Sequence, residues 1–156
     1  MLRAAAAHDE PVYVRLSTET NDRPQWTDGR LLRLRTGTRA TVVAVGPTLD
    51  RVLRATEGLD VTVAYANTVR PFDSAGLVAL GGTDIVLVEP YHAGTSSWVV
   101  DEALRHVPHR VTALGVGRAD LHRYGTPADH AAWHGLDEAG LRRSIAAATQ
   151  GGRPPA

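Results

Sequence analysis

Cysteine is absent from the 156 residues, which removes any disulfide framework and any thiolate chemistry. Lysine is absent too, since all 17 basic residues are arginine, a bias we read as genomic base composition rather than function. Net charge is also missing: 17 acidic residues balance the 17 arginines. A nucleic-acid binder normally carries a basic excess or a basic stripe, and neither is visible. No apolar run approaches the ~20 residues that span a bilayer. The opening MLRAAAAHDE is too short and too polar for a signal peptide. These absences predict a cytoplasmic protein with no nucleic-acid and no membrane partner.

What is present suits one ordinary domain with a proper core, at 43% hydrophobic residues. The organising stretch runs from Thr83 to Arg105. Its apolar run Ile85-Val86-Leu87-Val88 reads as a strand buried on both faces, ended by Glu89-Pro90 because proline cannot donate to a sheet ladder. A polar loop follows. Trp98, Val99, Val100, Ala103 and Leu104 then recur at helical spacing, with Thr95, Ser96 or Ser97 as cap. Strand, polar turn and helix form the unit of a parallel α/β domain, which places ligands at the carboxyl ends of its strands. Glu89–Ser97 is therefore the first place to look for function.

The rest of the chain repeats that alternation. Residues 1–8 read as the end of a helix without an N-cap, and Pro11–Leu16 (PVYVRL) as a strand of strong β-propensity. Ser17–Gly29 is polar and irregular, a linker. Strands are predicted over Gly29–Arg35 and Ala40–Val45, joined at Thr36–Thr38 as a hairpin-like antiparallel pair. Thr48 is the expected cap of a helix carrying Leu49, Val52 and Leu53 and ended by Gly58. Val61–Ala66 is a strand, and Asp73 or Ser74 caps a helix from Ala75 to Leu80. After the organising unit come a strand at Arg110–Val116, a short helix opened by Thr126-Pro127 with Asp129 three residues after the cap, and a last helix capped by Asp137 with Leu141, Ile145 and Ala148 inward. The tail GGRPPA, 151–156, has no reason to order. The pattern from residue 30, β-β-α-β-α-β-α-β-α, predicts a three-layer α/β/α fold with a mixed five-stranded sheet whose first strand runs antiparallel to the rest.

Several side-chain groupings invite a chemical reading. His130 and His134 share a helical face as a zinc pair would, but the glutamate of HExxH is missing and Gly135 ends the helix at once, so they read as surface histidines. His106, His109 and the His8-Asp9-Glu10 turn take the same plain reading. Ser96 and Ser97 follow a glycine without a G-x-S-x-G elbow, and capping suits them better than nucleophilic attack. Gly115–Asp120, GVGRAD, is half of a dinucleotide fingerprint without its third glycine, and a strand ending in a turn explains it. Arg70, beside a helix start, suits either an anion or a neighbouring carboxylate. No phosphate loop and no paired-carboxylate site emerges.

The ordered set of these segments resembles the C-terminal domain of transketolase-like enzymes dependent on thiamine diphosphate, a group that includes transketolase, deoxyxylulose-phosphate synthase and the beta subunits of 2-oxoacid dehydrogenases. PVYVRL resembles the last strand of the preceding pyrimidine-binding domain. ATVVAVGPTLDRVLRA, VTVAYANTVRPFD, IVLVEPYHAGTSSWVVDEAL and RYGTPADHAAWHGLDEAGLRRSI resemble successive strand–helix units of the domain itself. The resemblance covers about residues 8–148. It implies residues 1–16 as a remnant of the pyrimidine domain, 17–29 as linker, and 30–150 as the C-terminal-type domain. One departure stands out: the family often has a second acidic residue or a glycine after the glutamate at position 89, where this chain has Pro90, which implies a differently shaped Glu89–Gly94 loop.

The resemblance implies a structural and dimerising part of an enzyme that transfers two-carbon ketol units between sugar phosphates, inactive alone and assembled with the remaining domains or subunit, as a homo-oligomer. Thiamine diphosphate and Mg2+ are expected in the complete enzyme and not in this chain, which has neither the glycine–aspartate–glycine to asparagine motif nor the body of the pyrimidine domain. No catalytic, cofactor-binding or metal-ligating residue is therefore expected. The candidate contacts with substrate, anion or partner are Arg70, Glu89, Tyr91, His92, Ser96 and Ser97. A second reading is a partner- or anion-binding module of a 2-oxoacid dehydrogenase-type complex. A third is a purely structural domain, in which Trp26 could cover an exposed apolar face.

Overall fold

A computed structural model describes residue 7, residues 11–119 and residues 122–150. The expected helix at the start (apart from residue 7), the His8-Asp9-Glu10 turn and the tail 151–156 lie outside the described residues. The apolar runs become strands: β1 (Leu32–Arg35), β2 (Thr41–Val45), β3 (Thr62–Ala66), β4 (Asp84–His92) and β5 (Arg110–Val116). Every residue of β2 and β3 is buried, as continuous β-branched runs require when a parallel sheet is covered on both faces.

The five strands make one sheet in the order β1-β3-β2-β4-β5. β2 lies parallel to both β3 and β4, and β5 parallel to β4. β1 runs antiparallel, as expected, but not as a hairpin with β2: it pairs with β3, Leu32 opposite Tyr65. The short turn was a poor guide to pairing, because that turn is stitched to the β3 entry. Gly37 N–H donates to Thr62 Oγ1 at 3.1 Å, and Thr38 N–H to Asp60 at 2.9 Å. β2 is left free to sit between β3 and β4.

Among the described residues five α-helices cover the sheet: α1 (Leu49–Ala55), α2 (Ser74–Leu80), α3 (Ser97–Ala103), α4 (Pro127–Trp133) and α5 (Glu138–Gln150). Leu49 and Val52 of α1 and Leu141 and Ile145 of α5 join Val42, Val63 and Val86 in a core on one face. Leu77 of α2 and Val99 and Val100 of α3 join Val43, Ile85 and Leu87 on the other. Alternate residues of one strand thus feed opposite cores, which is the physical content of three layers.

Local chemistry agrees with expectation at several ends. Asp73 caps α2, accepting from Gly76 N–H at 2.9 Å, and its other oxygen accepts from Leu31 N–H at 2.9 Å. Thr126 and Asp129 form a reciprocal capping box at α4. Asp137 accepts from Gly140 N–H at α5. Thr48 departs from expectation. A 3-10 turn over Gly46–Thr48 precedes α1, and the Thr48 hydroxyl caps nothing. It donates toward Val45 O at 3.0 Å and Val88 O at 3.3 Å, tying the ends of β2 and β4 together.

Pro11–Leu16 belongs to no strand and no helix. Its β-propensity finds no ladder, because no described strand lies beside it. Tyr13 is 88% and Leu16 73% exposed. Trp26 is 85% exposed, so it covers no apolar face of this chain.

Candidate functional site

β4 does not stop at Glu89-Pro90. It continues to His92, with a register shift between Val88 and His92 before pairing resumes opposite Val116. Pro90, without an N–H, falls inside that interruption, where no ladder bond is demanded of it. The bulge brings the Tyr91 carbonyl against β5: a Cβ built on Gly115 would lie 2.5 Å from it.

The shift also aims Glu89 into the protein. Its side chain is fully buried, and its carboxylate accepts from Gly94 N–H at 3.0 Å and Ser96 N–H at 2.9 Å. The expected hydroxyl caps of α3 are therefore replaced. Ser96 holds the N-cap position but makes no side-chain cap bond; its hydroxyl shares a 3.1 Å hydrogen bond with the Tyr91 hydroxyl. The Thr95 hydroxyl donates back to His92 O. A carboxylate at the start of a helix meets orphan N–H groups and the positive end of the helix dipole. Sequence reasoning placed Glu89 at the strand end but missed this capping role, because the glutamate precedes the helix by eight residues and only the bulge brings it back. Burial pushes the Glu89 carboxyl above the ordinary glutamate range, against the opposing pull of hydrogen bonds from Ser96, Gly94 and Tyr91. Burial likewise raises Tyr91.

The six candidate side chains do not converge. Glu89, Tyr91 and Ser96 form one buried to half-buried cluster, with the Arg15 guanidinium 5.3 Å over the Tyr91 ring. Ser97 borders it, half-buried at the first turn of α3. His92 is exposed, its Nδ1 3.4 Å from Val116 O. Arg70 pairs with no carboxylate among the described residues; it lies 5.4 Å over the Trp98 ring, an aromatic assigned by spacing to the inner face of α3 but 55% exposed. No histidine reaches Ser96 or Ser97 within a hydrogen bond among the described residues, so neither serine has a base to activate it.

His130 meets Trp133 edge-on at 4.8 Å, while His134 Nδ1 accepts from Gly117 N–H at 3.2 Å; the two imidazoles serve different partners. Among the described residues no group of three or more histidines and carboxylates converges as metal ligands.

No family model matches the chain. A solved structure described as a split gene transketolase, inactive beta4 tetramer, superposes with a TM-score of 0.76 over 97% of this chain and 54% of its own, at 24% identity. The chain is a transketolase-like C-terminal domain. Among curated proteins it is 49% identical over 144 residues to the uncharacterized 33.6 kDa protein in the fasciation locus of Rhodococcoides fascians, covering 88% of this chain and 46% of that one. It is 39% identical over 115 residues to the 1-deoxy-D-xylulose-5-phosphate synthase of Alkalilimnicola ehrlichii, covering 71% and 18%. It is 33% identical over 161 residues to that of Leptothrix cholodnii, covering 92% and 25%. The chain thus spans about half the length of the first relative and a quarter or less of the synthases.

Proposed function

We propose that this chain is the scaffold and assembly part of a transketolase-type enzyme, which transfers two-carbon ketol units between sugar phosphates only when joined to polypeptide carrying thiamine diphosphate and Mg2+. The observation that carries this reading is the pairing of a five-stranded C-terminal-type sheet with relatives that run well beyond it. Residues 1–16 belong, in this proposal, to the edge of a pyrimidine-binding domain, and 17–29 link it to the sheet domain. The exposed Tyr13 and Leu16, on a segment that joins no sheet, support that division. The linker's tethers, Asn21 Nδ2–H to Gly46 O at 3.1 Å and the Glu19–Arg51 ion pair, hold it against the domain.

The assembled protein is a homo-oligomer in this reading, and a 2-oxoacid dehydrogenase-type module is the weaker choice. Of the candidate contacts, Arg70 and His92 are exposed and Tyr91 and Ser97 are half-buried, so these four are available to a partner. Glu89 and Ser96 are buried and act through the loop they shape. The test mixes the purified chain with a separately expressed chain bearing the diphosphate- and pyrimidine-binding domains, then assays ketol transfer with thiamine diphosphate and Mg2+. Activity from the mixture and none from either chain alone is expected. Ketol transfer by this chain alone would overturn the proposal.

A further inference from the structure

The strand order reverses at β2: the connection to β3 leaves on one side and β4 lies on the other. Their helices depart to opposite faces, α1 to one core and α3 to the other. A crevice opens at the carboxyl ends of strands that part in this way, and ligands of open α/β sheets bind there. A cavity of about 270 Å³ occupies this point, reaching from Thr48 after β2 to Val88 and Pro90 of β4.

Its lining is divided by chemistry. Val88, Val116 and Leu141 give an apolar side, and Ala131 of α4 also lines it. Glu19, Arg51 and His134 bring polar groups. Arg51 donates from Nη1 to Leu136 O at 3.1 Å and from Nη2 to Glu19, and a guanidinium with five N–H donors keeps others for an acceptor. His134 accepts at Nδ1 from Gly117 N–H; a neutral ring that does so carries its proton on Nε2 and is a second donor. Glu19, 40% exposed and on a segment without helix or strand, sets an intramolecular carboxylate on the arginine.

We propose that this switch-point cavity binds a small carboxylate with a short apolar body, and that its carboxylate takes the place of Glu19 on Arg51. The size suits a ligand of a few carbons, smaller than the usual drug-sized occupant. The inference does not depend on the ketol-transfer reading, since it concerns this chain's own cavity and its test needs no activity.

The test uses the full 156-residue chain, with isobutyrate as probe, followed by ligand-observed saturation-transfer NMR and thermal shift. Isobutyramide supplies the same body without charge, and inorganic phosphate supplies charge without the body. Saturable binding of isobutyrate, with both controls at least tenfold weaker, is expected. Glu19→Gln should tighten isobutyrate about two- to fivefold, the range over which an exposed ion pair competes. Ala131→Leu should fill the cavity and abolish binding while the circular dichroism spectrum stays native. Arg51→Met should also lose binding but is expected to lower Tm, because Arg51 holds the Leu136 carbonyl; Ala131→Leu is therefore the deciding variant. Phosphate binding as tightly as isobutyrate, undiminished binding in folded Ala131→Leu, or no saturation at about 50 mM isobutyrate, where a millimolar site would be full, would each overturn the proposal.

Discussion

Glu89 shows how one side chain can organise a loop. Two backbone N–H groups, one of them on buried Ser96, depend on its carboxylate. Glu89→Ala should destabilise the chain by roughly 2–4 kcal/mol, measured by urea unfolding, because two hydrogen bonds to its carboxylate are lost while the cost of burying that carboxylate is relieved. Its pH dependence has a definite sign. The folded carboxyl lies above the ordinary value of 4.5 because burial disfavours its charge, so the folded state holds the proton more firmly than the unfolded state. Glu89's contribution to stability therefore falls as pH rises from 4.5 through the raised value. Glu89→Gln should remove that component, so the stability of the native chain relative to the variant should decline across this window. The sequence made Glu89 prominent as the charge at the end of an apolar run. Its capping role was not legible there, because capping rules look one to three residues ahead of a helix and the bulge after Val88 carries this carboxylate back across a longer loop. Asp73 was legible for the opposite reason: it sits immediately before its helix. Its second bond, to Leu31 N–H across 42 residues, was not. Asp73→Ala should cost about 1–3 kcal/mol, more than a cap alone, and Asp73→Asn, which keeps an acceptor, should recover part of it.

At the scale of elements, the five strands and five α-helices of the described residues were each legible locally, most from their own apolar pattern and α4 from its Thr126–Asp129 capping signals. Local pattern failed where an element's identity depends on a neighbour. β1 was assigned to β2 by chain proximity, whereas Thr62 and Asp60 anchor the intervening turn at the start of β3. Pro11–Leu16 had the propensity of a strand but no described strand to pair with. Pro90 marked an interruption correctly, yet the strand resumed beyond it, since a bulge tolerates a residue without an N–H. That bulge makes Gly115 a sensitive point. A methyl group there would sit 2.5 Å from Tyr91 O and 2.7 Å from Ala93 N, both backbone atoms of the loop that Glu89 holds. Gly115→Ala should therefore cost about 1–3 kcal/mol through overpacking, lowering Tm. Amide exchange should accelerate at Gly94 and Ser96 more than in β2, because the strain falls on the β4–β5 end of the sheet.

For the whole molecule, the two cores either side of one sheet explain a stable domain, and the residues left outside them suggest what it assembles with. Tyr13 and Leu16 are exposed on a segment without helix or strand, where Arg15 lies over the Tyr91 ring. Their burial contributes almost nothing to this chain's own stability, so Tyr13→Ser with Leu16→Ser should leave the urea midpoint of the isolated chain within about 0.5 kcal/mol of the parent. In the scaffold reading the same side chains are covered by the partner's pyrimidine-binding domain. Burying two large apolar groups contributes about 1.5–3 kcal/mol each, so the double substitution should weaken association with that chain by at least tenfold, measured by analytical ultracentrifugation at several loading concentrations. Ketol transfer should fall with the fraction assembled and return at higher partner concentration, because no reacting group has been touched. A double variant that associates normally but does not support transfer would place these residues in the chemistry itself and remove the scaffold reading. One that associates and turns over like the parent would remove the segment 11–16 from the interface.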